Sequence, residues 1–156
     1  MARQATAAEN VTQRVVELRP SRKEGADREK RAALRALIEG EGEAFRNAII
    51  FCNRKRDVGV VYKSLARHGY NAGALHGDLD QSVRTATLNA FRDGTIKVLV
   101  ASDVAARGLD IPNVSHIFNY DVPTHSEDYV HRIGRTGRAG TPGLAVSLVC
   151  VDEEKL

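Results

Sequence analysis

Short apolar runs alternate along the chain with longer segments in which apolar residues recur every three or four positions. The runs are typical of strands buried on both faces, and the longer segments are typical of amphipathic helices. This alternation predicts an α/β fold with a mostly parallel sheet and helices on both faces. The predicted strands cover 11–18 (an edge strand), 48–52, 72–75, 98–101, 114–118 and 144–149. The predicted helices cover 31–39, 57–68, 80–92 and 127–133, and 19–30 is predicted to be a charged loop.

The composition is that of one globular domain. A chain of 156 residues with 42% hydrophobic content can bury a single core. The sequence contains neither a membrane-length apolar run nor a secretory signal, so we expect a cytoplasmic protein without membrane contact. Cys52 and Cys150 lie far apart in apolar segments and are expected to be reduced thiols of the core. Residues 1–9 are small and polar, and we expect them to be disordered.

Polar clusters follow the predicted strands where each strand ends. In open parallel sheets, ligands bind at this carboxyl edge. The net charge of +3 is compatible with nucleic acid but does not establish it. The clusters are Asn53–Arg56, His76–Asp78 and Ser102–Asp110, and an arginine-rich segment over 131–140 comes after the helix that follows the fifth strand.

The arginine-rich segment holds Arg132, Arg135 and Arg138 at steps of three, with glycines between them. A guanidinium group stays protonated and matches phosphate oxygens, so this segment can stabilise charge on a transferring phosphoryl group. The alternative is a basic surface turn whose arginines pair with Glu127 and Asp128.

No complete catalytic site is visible in the sequence. It lacks the G-x-x-x-x-G-K-[ST] phosphate loop, the G-x-G-x-x-G fingerprint and the spacing of a zinc site, so we predict no metal ligands. If the chain takes part in chemistry, it supplies residues to a site that is completed elsewhere.

Four segments resemble signature motifs of the DEAD-box RNA helicases, in that family's order. They are AIIFCN (48–53), ALHGDLDQSVR (74–84), VLVASDVAARGLDIP (98–112) and HRIGRTGR (131–138). The resemblance implies that 10–156 form the C-terminal RecA-like domain of a two-domain helicase core, and that 1–9 are a remnant of the interdomain linker. The phosphate loop and the DEAD sequence, which belong to the family's N-terminal domain, are not in this chain.

The resemblance also implies a set of nucleotide contacts. Arg135 and Arg138 match the family's arginine fingers on the γ-phosphate of ATP, and Asp110 matches its contact to the ribose. The ligands of the accompanying Mg2+ are expected on the N-terminal domain. The alternative for Asp110 is a turn residue that bonds its own backbone.

For RNA, the resemblance implies contacts to the single-stranded backbone. Ser102 stands where the family usually has threonine, and Gln81 and Arg84 match its Q-x-x-R element. Arg54 replaces a usual threonine, which puts its RNA contact in doubt. The alternatives are a helix cap for Ser102 and a solvated position for Arg84.

Three further residues are expected to couple the two domains. His131 matches a residue that reaches toward the DEAD carboxylates, whereas Asp103 and Arg107 are expected to form ion pairs that position the arginine-rich segment.

The implied function is the C-terminal half of an ATP-dependent RNA helicase, in which ATP hydrolysis is coupled to local RNA duplex unwinding only when the N-terminal domain is joined to it. Two alternatives remain open from the residues: an RNA- or protein-binding module without turnover, and a related DNA helicase or remodeller.

Overall fold

The structure, a computed structural model, describes residues 10–151. Its six strands form one sheet in the order β1-β6-β5-β2-β4-β3, and every neighbouring pair is parallel. The strands are β1 (Val11–Leu18), β2 (Ala48–Cys52), β3 (Ala72–Leu75), β4 (Val98–Ser102), β5 (His116–Asn119) and β6 (Gly143–Cys150). The helices are α1 (Ala26–Gly40), α2 (Lys55–Arg67), α3 (Gln81–Arg92), α4 (Asp103–Ala106) and α5 (Ser126–Ile133).

The central strands are buried on both faces, which explains their uninterrupted apolar sequence. Side chains alternate along each strand, so Ile50 and Cys52 of β2 pack beneath α1 and α2, whereas Ile49 and Phe51 pack beneath α3, α4 and α5. The α/β class predicted from the sequence is therefore confirmed, as is the position of β1 at a sheet edge.

Element boundaries differ from the prediction most at α1. The helix begins at Ala26, inside the predicted charged loop, and Asp27 and Glu29 occupy its first turn. Carboxylates are favourable there because the amino end of a helix carries partial positive charge. The expected strand at 114–118 is shorter, and Val114 instead forms an isolated parallel bridge with Thr136.

The order of the strands determines where the polar clusters meet. Because β5, β2 and β4 are neighbours, their carboxyl ends bring Asn119, Asn53 and Ser102 to one edge of the sheet. The expectation for 1–9 concerns residues outside the described range. In the range 10–151, no helix is long and apolar enough to cross a membrane.

The prediction that both cysteines are core thiols is wrong for one of them. Both are free, but Cys52 is buried in β2, whereas Cys150 is exposed at the end of β6. β6 continues past the end of its neighbour β5, whose last residue pairs with Ser147, so its final residue is exposed in spite of its apolar sequence context.

We predict that the two thiols differ sharply in reactivity. Burial raises the pKa of the Cys52 thiol, and the nearby carboxylates Asp121 and Asp57 raise it further. Cys52 therefore stays protonated and unreactive at pH 8, because the thiolate is the reactive form. Titration with a chromogenic disulfide reagent should modify Cys150 alone in the native protein and both thiols in urea. Rapid modification of both thiols without denaturant would contradict this assignment.

Candidate functional site

The carboxyl edge of the sheet is organised around one buried cation. Arg132, on α5, has 1% of its surface exposed. Its Nε and Nη2 donate to the two carboxylate oxygens of Asp103, at 2.8 and 2.7 Å. A paired fork of this kind is the strongest ion-pair geometry available to arginine, and burial of an arginine without it is costly. Because Asp103 directly follows β4, the pair fixes α5 against the end of that strand.

The remaining donors of Arg132 reach the neighbouring strands. Nη2 also donates to the side-chain oxygen of Asn53, at 2.7 Å, just beyond β2. Nη1 donates to the backbone oxygen of Asp121 at 2.6 Å and to the side-chain oxygen of Asn119 at 3.3 Å, both at the end of β5. The guanidinium also stacks over Phe51, 5.2 Å from the ring centroid. One side chain thus joins the ends of the three central strands.

The segment after α5 carries the two other arginines to the loop that follows α4. The Nη atoms of Arg135 donate to the carbonyls of Leu109 and Ala106, at 3.1 and 3.3 Å. Arg138 donates to the carbonyl of Ile111. Both guanidinium groups therefore lie along the same loop, 106–111.

The turn between these two arginines requires glycine. Gly137 has a φ of +68°, a conformation that L side chains rarely adopt. A Cβ there would also lie 2.7 Å from Cγ2 of Val11 on β1. The interleaved glycine thus allows both the turn and the close approach of the first strand.

Asp110 lies in the loop that the two arginines contact, so the structure brings together all three predicted nucleotide contacts. Burial lowers the pKa of Arg135, and the like charge of Arg138 lowers it further, whereas Asp110 opposes the shift. The guanidinium still stays protonated, because its ordinary pKa is far above neutrality. The Asp110 carbonyl accepts a 2.7 Å bond from Arg92, which fixes the loop from its other side.

The alternative in which the arginines pair with surface carboxylates does not match the structure. Among residues 10–151, neither Arg135 nor Arg138 forms an ion pair; Asp128 pairs instead with Arg107, at 3.1 Å. The Arg135 and Arg138 guanidinium groups bind neutral carbonyls, and the Asp110 carboxylate acts on Arg135 without forming an ion pair.

The three predicted coupling residues line one cleft of about 370 Å³, together with Arg135. His131 is exposed at its rim. Asp103 and Arg107 both form ion pairs with α5, through Arg132 and Asp128 respectively. The cleft is therefore bounded by charged groups that are held by one helix.

The predicted RNA contacts lie outside this cleft. Ser102 is 7% exposed, and its hydroxyl oxygen accepts the Ala105 amide at 3.3 Å, so it caps α4. The cap uses the oxygen as an acceptor and leaves the hydroxyl hydrogen available to a ligand. Arg54 is exposed before α2 and pairs with Asp57 at 3.3 Å.

Gln81 and Arg84 occupy the first turn of α3. Gln81 is exposed and donates to Thr85 at 3.4 Å. The Nε of Arg84 is buried and, among the described residues, has no hydrogen-bond partner. An unsatisfied buried donor costs about 1–3 kcal/mol, so an acceptor that reached this atom would be bound favourably.

The role of Arg132 was missed by reasoning from the sequence, which counted it only as one of three basic residues. Its position beside Ile133, on the side of α5 that faces the sheet, was the available signal. Its acceptors Asn53, Asp103 and Asn119 come from separate segments, and no local pattern connects them.

This chain is similar to known proteins over most of its length. Residues 29–140 match the family model described as "Helicase conserved C-terminal domain". The "ATP-dependent RNA helicase RhlB" of Actinobacillus succinogenes is 50% identical over 125 residues, which cover 80% of this chain and 30% of that protein. The chain therefore spans about a third of the length of the curated relatives it matches.

Solved structures show the same domain. The C-terminal domain of the DEAD-box protein Dbp5 aligns with a TM-score of 0.78 and 35% identity, over 93% of this chain and 79% of that one. Saccharomyces cerevisiae Dbp5 bound to RNA and ADP BeF3 aligns with a TM-score of 0.78 and 34% identity, over 94% of this chain and 37% of that one. The family model, the relatives and the shared fold together establish that this chain belongs to the helicase conserved C-terminal domain family, as a RecA-like C-terminal domain of the DEAD-box type.

Proposed function

We propose that this domain completes the ATP site of an RNA helicase whose N-terminal domain holds most of the nucleotide. Arg135 and Arg138 act on the γ-phosphate when the two domains close. The observation that supports this is their arrangement: two guanidinium groups on one loop, bound to carbonyls and without a carboxylate partner in the described part of the chain.

The carbonyl contacts make these arginines available to a phosphate. A guanidinium–carbonyl bond joins a charge to a dipole, whereas a guanidinium–phosphate bond joins two opposite charges and is stronger. Phosphoryl transfer requires mainly positioning and stabilisation of the charge on the transferring group. Arg135 and Arg138 supply the charge, and Arg132 positions the helix from which they extend.

Asp110, in the loop that these arginines contact, is proposed to accept hydrogen bonds from ribose hydroxyls. Among residues 10–151, no group of three or more His, Cys, Asp or Glu side chains lies close enough to hold a metal ion. The Mg2+ ligands are proposed to lie on the N-terminal domain, as the resemblance to the family implies.

RNA contacts are proposed for Ser102, Gln81 and Arg84, with Arg54 beside them. Ser102 retains a free hydroxyl hydrogen, and Arg84 has an unsatisfied donor. Contacts of this kind go to phosphates and sugars and carry little sequence information.

Closure around ATP would align these residues with RNA held by the other domain. An RNA strand that is bent between the two domains no longer fits a duplex. Hydrolysis would then release the strand.

We predict that the isolated chain shows no ATP turnover in a phosphate-release assay, with or without RNA.

In the full-length protein, Arg138→Ala should lower the hydrolysis rate about 10³-fold or more, as expected for a lost arginine finger. Nucleotide affinity should change much less. Arg46→Ala, at an exposed arginine before β2 on the opposite edge of the sheet, is the control and should leave hydrolysis unchanged. Robust hydrolysis by the isolated chain, or by the Arg138 variant, would contradict the proposal.

We also predict that Arg84→Ala in the full-length protein weakens binding of single-stranded RNA. The slope of log affinity against log salt should become shallower by about 0.7, the value for one lost phosphate contact. The measurement is fluorescence anisotropy over a salt series, with RNA and DNA of the same sequence compared. An unchanged slope would show that Arg84 does not contact an RNA phosphate.

A further inference from the structure

Helix α2 carries a row of cations on the face that points away from the sheet. Arg56, Lys63 and Arg67 are all exposed, whereas Val61 and Leu65 on the opposite side of the helix are buried. The spacing of seven and four residues keeps the three cations within one narrow sector of the helix. They extend over about 16 Å, at 1.5 Å per residue.

The charge of this row is not neutralised by neighbouring residues. The only acid of α2 is Asp57, which is half-buried and pairs with Arg54 at 3.3 Å. Lys55 pairs with Asp78 of another segment, at 3.1 Å. Among the described residues, none of the three cations of the row forms an ion pair.

Helix stability does not account for the row. Arg56 lies in the first turn, where the partial positive charge of the helix end disfavours cations. Lys63 and Arg67 are four residues apart, and like charges at that spacing are destabilising. Only Arg67, in the last turn, is favoured by the helix dipole.

The row begins at the edge of the sheet where RNA is proposed to bind. Helix α2 starts directly after Arg54, at the carboxyl end of β2, and runs back along the face of the sheet. An RNA strand that extends beyond the core contacts at this edge would reach Arg56 first and then Lys63 and Arg67.

We propose that this row binds the phosphates of single-stranded RNA that flanks the segment held by the helicase core. This inference rests on the proposed function and extends it, because it assigns a second phosphate-binding surface to RNA that the core contacts do not reach. Its effect is a longer RNA footprint and a stronger dependence of affinity on RNA length and on salt.

RNA is favoured over an acidic protein partner by the composition of the surface. Protein interfaces depend on buried aromatic or large apolar side chains at their centre. The row offers only Val60, which is 40% exposed, as a large exposed apolar residue among its cations. A line of cations without an apolar centre matches a phosphate backbone instead.

The test compares two pairs of substitutions that remove the same charge. Lys63→Gln with Arg67→Gln alters the row without touching the proposed core contacts. Arg46→Gln with Lys97→Gln is the control, because both residues are exposed, precede β2 and β4 at the amino edge, and lie outside α2. Glutamine is a good helix former, and all four positions are on the surface, so folding should be retained.

Affinities are measured in the full-length protein with a non-hydrolysable ATP analogue. The ligands are uridine RNAs of about 8 and about 24 nucleotides, and the shorter RNA is within the roughly 4–16 nucleotides that one single-strand-binding OB fold covers. The row variant should bind the longer RNA about fivefold more weakly at low salt, with a salt slope shallower by about 1.4 for two lost contacts. Its affinity for the shorter RNA, and both affinities of the control variant, should be unchanged.

Three results would overturn the inference. Equal affinity of the row variant and the unaltered protein for the longer RNA would show that the row does not bind RNA. So would equal affinity of the unaltered protein for both RNA lengths. Polyglutamate serves as the probe for an acidic protein. If the row variant lost binding to polyglutamate but still bound the longer RNA, the row would be assigned to an acidic protein partner. Failure of the unaltered protein to bind either RNA would instead reject the proposed function itself.

Discussion

The buried ion pair between Arg132 and Asp103 is the interaction on which the rest of the site depends. Burial of a guanidinium that is 1% exposed is costly without an anion and satisfied donors, and the structure supplies both. Its acceptors are at the ends of β2, β4 and β5, so the pair is satisfied only when these three strands are in register. The same side chain belongs to α5, which leads directly into Arg135 and Arg138. The arginines proposed to contact ATP are therefore positioned by the sheet rather than by contacts of their own loop alone.

The three arginines of this segment differ in the groups that they bind. Arg132 is neutralised by a carboxylate and has no charge left for a ligand, whereas Arg135 and Arg138 bind only carbonyls. Three arginines at equal sequence spacing thus have two different roles. The difference comes from the path of the backbone, because Arg132 lies on α5, whereas Arg135 follows the end of that helix at Gly134 and Arg138 follows the turn at Gly137. The exposed row on α2 adds a third environment for basic residues, in which neither carboxylates nor carbonyls compensate the charge.

Much of the fold could be predicted from the sequence, because each central strand is a short apolar run and each helix has an apolar face. The parallel arrangement then placed the polar clusters at one edge. The start of α1 could not be predicted as well, since its first turns are charged and resemble a loop. The exposure of Cys150 depends on where β5 ends beside β6, which the sequence around the cysteine does not determine.

The candidate site could be predicted only in part. The motifs indicated Arg135, Arg138 and Asp110, and the structure brings these residues to one loop. The role of Arg132 depends on Asn53, Asp103 and Asn119, which come from three separate segments and meet only in the folded sheet. The unsatisfied Nε of Arg84 likewise depends on tertiary packing, so no sequence pattern revealed it.

A double-mutant cycle on the buried pair tests the central claim most directly. The free energy of unfolding in urea is measured for the unaltered chain, Asp103→Asn, Arg132→Gln and the double variant. Breaking a buried pair costs about 3–5 kcal/mol, so each single substitution should destabilise strongly. The double variant should lose at least about 2 kcal/mol less than the sum of the two single losses, because both singles remove the same interaction. Single losses that simply add in the double variant would contradict the account, because Asp103 and Arg132 would then stabilise the domain independently.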